Sequence, residues 1–237
     1  MKKIEDLSIK IFADGANKSG MIDMCSKPYI KGFTTNPSHL RKGGVSDIKV
    51  FAKEILSLIK DRPICFEVIS DDFSEMKEQA LTIADWGDNV YVKIPVTNTL
   101  GIPSYDLINE LAITGINLTI TAICTLKQVI EVSSALGNHQ SFVAVFAGRV
   151  ADTGTDPLPM MSAAVQVLSI YPKQELLWSS TREVLNIFQA DSIGCHIITA
   201  TNDILKKLEL VGKDHSEYSL DTVKEFRSDA INANLKI

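Results

Sequence analysis

Short apolar runs rich in β-branched residues alternate along the chain with amphipathic stretches. The runs cover residues 9–14, 32–35, 63–69, 89–96, 117–123, 141–146, 175–180 and 195–199. Several are almost continuously apolar, as in Pro63-Ile64-Cys65-Phe66-Glu67-Val68-Ile69. Strands covered on both faces read this way, and parallel sheets are the usual case. Between the runs the period changes to that of a helix. Residues 45–60 set Ile48, Phe51, Ile55, Leu58 and Ile59 on one side, and residues 73–86 do the same with Phe73, Met76, Ala80, Ile83 and Ala84. Stretches 105–114, 125–136, 156–170 and 183–190 follow, with a shorter one at 203–210. Ser46, Asp72, Ser104 and Asp203 stand where N-caps belong.

Eight strands alternating with helices imply βαβ units. In 237 residues they predict an α/β fold, a single (β/α)8 TIM barrel, rather than an open doubly wound sheet. The first strand is not followed by G-x-G-x-x-G, which speaks against dinucleotide binding. Residues 219–237 read as an additional C-terminal helix, apolar at Leu220, Val223, Phe226, Ala230 and Ile231. A helix beyond a closed barrel must pack on its outside or on a neighbouring subunit. With no linker in view, residues 1–237 are expected to form one domain.

Composition narrows the partners. Basic and acidic residues number 24 and 29, for a net charge of −5, and no basic block stands out, so no nucleic-acid surface is expected. No run reaches the roughly 20 apolar residues of a membrane span, and no signal-peptide stretch follows Met1. A cytoplasmic protein is expected. Cys25, Cys65, Cys124 and Cys195 form no C-x-x-C pair and read as reduced, buried packing residues.

In a barrel, functional side chains lie at the C-terminal ends of strands. The polar residues there are Asp14, Thr34, Thr35, Asn36, Glu67, Lys93, Thr119, Thr121, Arg149, Ser180 and Arg182. Lys93 is the sharpest signal, set within Val90-Tyr91-Val92-Lys93-Ile94-Pro95-Val96. Burial disfavours an ammonium ion and favours the neutral amine that a Schiff base requires. The alternative is a lysine that snorkels to water or pairs with a carboxylate. Asp14 and Glu67 are either general acids and bases or partners of Lys93. Arg149, Ser180 and Arg182 can bind a phosphate, two guanidinium groups and a hydroxyl being suited to it, or the arginines are surface ion-pair residues. His39, His139, His196 and His215 show no metal-ligand spacing, and no carboxylate cluster suggests a metal. A G-x-S-x-G elbow is missing too.

These residues carry a resemblance. Phe12-Ala13-Asp14, Gly32-Phe33-Thr34-Thr35-Asn36-Pro37-Ser38, Val92-Lys93-Ile94-Pro95-Val96, Gly115-Ile116-Asn117, Phe146-Ala147-Gly148-Arg149 and Ser179-Ser180-Thr181-Arg182 occur in the order found in the short, bacterial-type transaldolases and their fructose-6-phosphate aldolase relatives. The sequence resembles that family from residue 12 to about residue 200. The resemblance implies that Lys93 forms a Schiff base with the C2 carbonyl of a ketose phosphate and that Asp14 takes the C4 hydroxyl proton. It makes Glu67 and Thr121 the holders of a proton-shuttling water. Thr35, Asn36, Thr119 and Phe146 would line the donor pocket, with Asn36 bonding the dihydroxyacetone hydroxyls. Arg149, Ser180 and Arg182 would hold the phosphate. No cofactor is implied, since the lysine is the electron sink. The implied assembly is a homo-oligomer, a pentamer or decamer, with the C-terminal helix reaching a neighbour. Glu67 and Phe146 are the transaldolase-like choices, where the aldolases carry Gln and Tyr. Gly15, Thr119, Ala144 and Val145 depart from the usual Thr, Asn and Ser-Pro, so an altered donor pocket is expected.

Overall fold

The computed structural model describes residues 3–237. Eight parallel strands close into a barrel in chain order: β1 (Lys10–Asp14), β2 (Ile30–Thr34), β3 (Ile64–Glu67), β4 (Val90–Pro95), β5 (Leu118–Ile123), β6 (Ser141–Val145), β7 (Gln174–Trp178) and β8 (Ile197–Thr201). The first and last strands pair along their length, so no edge is left open. The helices are α1 (Lys18–Cys25), α2 (Pro37–Lys42), α3 (Ile48–Leu58), α4 (Phe73–Ala84), α5 (Tyr105–Thr114), α6 (Leu126–Leu136), α7 (Ala147–Asp152), α8 (Leu158–Leu168), α9 (Leu185–Ser192), α10 (Asn202–Lys206) and α11 (His215–Asn232). The (β/α)8 barrel is as the periodicity predicts, and so is the presence of a C-terminal helix, although it runs from His215 to Asn232 rather than over 219–237.

The differences are local. Helices α1, α2 and α7 are too short, and bury too few residues, to show a period; α2 buries only Leu40. Strand β2 begins earlier, at Ile30, which pairs with Ile11, while Lys31 breaks the apolar run and is skipped in the ladder as a bulge before Gly32 meets Phe12. Asp72 caps α4 as expected, accepting from the Ser74 and Glu75 amides. Asp47, not Ser46, caps α3. Ser104 precedes α5 but its hydroxyl donates to the Pro95 carbonyl instead. Asp203 lies inside the first turn of α10, behind Thr201. Of the four free cysteines, Cys65 and Cys195 are buried while Cys124 is exposed.

Register decides what faces inward. Paired residues on neighbouring strands point to the same side, so Phe12, Gly32 and, along the ladder, Cys65, Tyr91, Phe142, Leu177 and Ile197 fill the interior. Tyr91 stacks on Phe142 at 4.1 Å between ring centres, and Phe142 meets Phe12 edge-on at 5.7 Å. Below them Lys10 pairs with Glu175 at 2.7 Å, and Gln140 donates to the Tyr91 hydroxyl. The lower barrel is thus plugged. Above the plug the inward positions turn polar: Asp14, Thr34, Glu67, Lys93, Thr119 and Thr199. A second, larger apolar layer lies between the strands and the helices.

The Phe12 ring occupies the space where Gly32 would carry a side chain. A Cβ there would lie 2.5 Å from the ring. Gly32→Ala is therefore expected to overpack the plug and to lower stability by about 2 kcal/mol, read from the midpoint of urea unfolding.

Candidate active site

Lys93 is the fourth residue of β4 and is 6% exposed. Its register partner on β3 is Glu67, also directed inward. The Lys93 Nζ lies 3.0 Å from Glu67 Oε2 and donates to the Thr35 carbonyl at 2.8 Å. The lysine is therefore buried and also paired with a carboxylate. The Thr35 hydroxyl turns away from the cavity, donating to the Cys65 carbonyl at 2.8 Å, so only its backbone faces Lys93.

Asp14 ends β1 on the opposite wall. Its Oδ1 accepts from the Thr34 hydroxyl at 2.7 Å, and Thr34 is linked to Thr199 at 2.6 Å. Its Oδ2 lies 3.0 Å from Nε2 of His39. Asn36 caps α2, its side-chain oxygen accepting from the His39 amide at 2.9 Å, which leaves its NH₂ group free to donate. On β5, Thr121 Oγ1 is buried without a hydrogen-bond partner. A buried hydroxyl left open is costly unless something else fills the site. The strand breaks register just beyond it, with Ala122 at φ 62°. Thr119 faces Cys65, whose thiol burial pushes up to about 11, against the smaller opposing effects of the Thr119 hydrogen bond and the Lys93 charge.

The remaining residues line the outer mouth. The Arg149 guanidinium sits 5.2 Å over the Phe146 ring. Ser180 has φ 62°, and its carbonyl runs so close to Gly148 that a Cβ there would lie 1.5 Å away. No side chain fits between these two backbones, which accounts for the glycine in Phe146-Ala147-Gly148-Arg149. Arg182 is half-exposed and grips Asp152 through both carboxylate oxygens, one contact at 2.9 Å. That hydrogen bonding holds Asp152 below the usual carboxylate range.

Apart from Thr35, the sequence-predicted residues line two connected spaces. An inner cavity of about 40 Å³ is lined by Asp14, Asn36, Lys93, Thr119, Thr121, Ala144 and Phe146, among others. Asp14, Asn36, Phe146 and Ser180 also line a wider cleft of about 550 Å³ that holds Glu67, Arg149 and Arg182. Two larger hollows, about 660 Å³ between α3 and α4 and about 620 Å³ at the N-terminal end of the barrel, are not lined by Lys93. The inner cavity, though smaller, is where the lysine and the open hydroxyl converge. Sequence reading did not single out His39, Thr199 or Gly148. For His39 the available signal was its place three residues after Asn36, on a turn starting at Pro37.

Fold and site together define a (β/α)8 barrel with a buried lysine–carboxylate pair at its C-terminal mouth. The family described as Transaldolase/Fructose-6-phosphate aldolase matches residues 11–236, and the chain belongs to that family. A "Probable transaldolase" of Thermoanaerobacter sp. (strain X514) is 32% identical over 230 residues, 97% of this chain and 100% of the relative. One from Streptococcus pyogenes serotype M5 (strain Manfredo) is 30% identical, covering 84% of this chain and 90% of its own. Among solved structures, a 3-hexulose-6-phosphate synthase superposes with a TM-score of 0.58 at 11% identity, over 84% of this chain and 92% of that one. At that identity the likeness concerns the fold alone.

Breaking a buried pair strands the remaining charge, at about 3–5 kcal/mol. Glu67 is 18% exposed at its side chain, which favours the lower end. Glu67→Leu is expected to lower stability by about 3 kcal/mol. The double variant with Lys93→Met should recover most of that loss, as a thermodynamic cycle from urea unfolding would show.

Proposed function

We propose that this protein is a transaldolase, moving a dihydroxyacetone unit from a ketose phosphate of the fructose 6-phosphate type to an aldose phosphate of the erythrose 4-phosphate type. The observation that carries the reading is Lys93 held at 3.0 Å from Glu67 beside the unpartnered Thr121 hydroxyl. A lysine in that position can pass a proton to Glu67 and attack the C2 carbonyl as an amine. A water between Glu67 and Thr121 would then carry protons as the carbinolamine forms and loses water. The Lys93 iminium draws in the electron pair of the C3–C4 bond while Asp14 takes the C4 hydroxyl proton. A three-carbon aldehyde phosphate leaves, and a dihydroxyacetone enamine stays on Lys93. An acceptor aldehyde reverses the steps, Asp14 returning its proton to the new hydroxyl.

Placement supports the roles. Lys93, Thr119 and Thr121 line the inner cavity, and Arg149 and Arg182 the outer cleft, so a sugar with C2 at the lysine would extend its phosphate toward Arg149, Ser180 and Arg182. Arg182 must share its guanidinium with Asp152 to do so. Phe146 offers no hydroxyl to protonate the enamine, which favours transfer over release of free dihydroxyacetone. Thr119 and Ala144 bring methyl groups to the donor end, so the donor hydroxyls rely on the Asn36 amide and the Thr119 hydroxyl.

On the same reading the chain is one domain acting in a homo-oligomer, a pentamer or decamer. What supports this is α11, which buries none of its residues and leaves Leu220, Val223 and Phe226 exposed. Among the described residues, no helix is long and apolar enough to cross a membrane. A cytoplasmic setting accords with small, soluble sugar-phosphate substrates.

The test is borohydride reduction in the presence of fructose 6-phosphate, followed by peptide mass spectrometry. A dihydroxyacetone-sized adduct on Lys93 is expected, none with Lys93→Met, and a loss of transfer rate of about 10³-fold with Asp14→Asn. No adduct on any lysine of the folded protein would overturn the proposal. Repeated release of dihydroxyacetone without acceptor would shift it to the aldolase.

A further inference from the structure

The carboxylate that serves as base on the reading above is gripped at both oxygens. Thr34 donates to Oδ1 from the neighbouring barrel strand, backed by Thr199. The grip on Oδ2 comes from outside the barrel, through His39 on α2. The local sequence builds that contact. Asn36 caps the helix by accepting from the His39 amide, and Pro37 opens it, so His39 takes the third helical position, on the turn above β1. Its side chain is 22% exposed and is not part of the apolar core. The hollow beside it is shared with Lys42 of its own helix, with Asn202 and Asp203 of α10 and with Asp14 itself. Met21 and Phe33 also line that hollow, and His39 meets Asp14 at its rim rather than within the core.

We propose that His39 is a positioning residue for Asp14. Its Nε2–H donates to Oδ2 and, with Thr34 on Oδ1, fixes the plane of the carboxylate, so that a remaining lone pair meets the C4 hydroxyl of the bound ketose. The C4 hydroxyl proton passes to Asp14 as the C3–C4 bond breaks and returns to the new alkoxide when the acceptor adds, while His39 keeps its own proton throughout. Schiff-base formation runs on the other wall, through Lys93, Glu67 and Thr121, and does not depend on His39. The inference rests on the transaldolase reading.

Trapping can separate the two steps. Borohydride added soon after mixing with fructose 6-phosphate captures Lys93 either as the six-carbon adduct, before cleavage, or as the three-carbon adduct, after it. His39→Leu is expected to leave the total trapped on Lys93 unchanged and to shift it toward the six-carbon species. Its kcat for transfer should fall about a hundredfold with KM little altered, as for a reacting group slightly misplaced. His39→Gln, whose amide can donate from a similar place, should recover at least tenfold of the loss. His39→Leu with wild-type kcat and a wild-type adduct ratio would overturn the inference alone. So would an equal loss in both variants with less total adduct, since that marks a general disturbance of the mouth. No Lys93 adduct in the unsubstituted protein would overturn the transaldolase reading, and this inference with it.

Discussion

The contact on which the mouth of this barrel depends is the buried pair of Lys93 and Glu67. A charged lysine only 6% exposed is tolerable only with a partner. The partner comes from the parallel ladder itself: Glu67 and Lys93 are paired across β3 and β4 and so face the same interior. The Thr35 carbonyl supplies a second acceptor from the end of β2. Three consecutive strands therefore converge on one nitrogen. The aromatic plug of Phe12, Tyr91 and Phe142 fills the barrel underneath, and Lys93 lines the inner cavity above it.

The two carboxylates of the mouth are kept apart by their partners. Glu67 is committed to Lys93, and Asp14 to Thr34 and His39. Environments that differ this much are what let two similar groups take different tasks in one site. The surrounding backbone is shaped to match. Ala122 and Ser180 both adopt left-handed conformations, which are unfavourable for residues with a side chain and tend to gather at functional sites. Ser180 is held there against Gly148, whose missing side chain lets the turn after β7 meet α7.

Family and fold contribute differently. A 3-hexulose-6-phosphate synthase shares the barrel at 11% identity, which is what a fold hosting many chemistries produces. The match over residues 11–236 and relatives at 30% identity and above carry the family. In this chain the inner cavity is lined by Thr119, which lies against Cys65, and by Ala144 on the adjoining strand.

By itself the sequence determined the barrel and most of its polar mouth. Eight apolar runs, near-continuous because both faces are covered, leave little choice of architecture. A lysine or carboxylate inside such a run is conspicuous because burying it is costly, so Lys93, Glu67 and Asp14 were all legible. Tertiary structure alone decided how those residues pair. Lys93 and Glu67 are 26 positions apart and meet through ladder register, which no local pattern encodes. It also decided that the Thr35 hydroxyl turns from the cavity, that Arg182 is shared with Asp152, and that His39 reaches Asp14. That last contact hangs on a helix of six residues, too short to leave a period in the sequence yet placed by one cap over the end of β1.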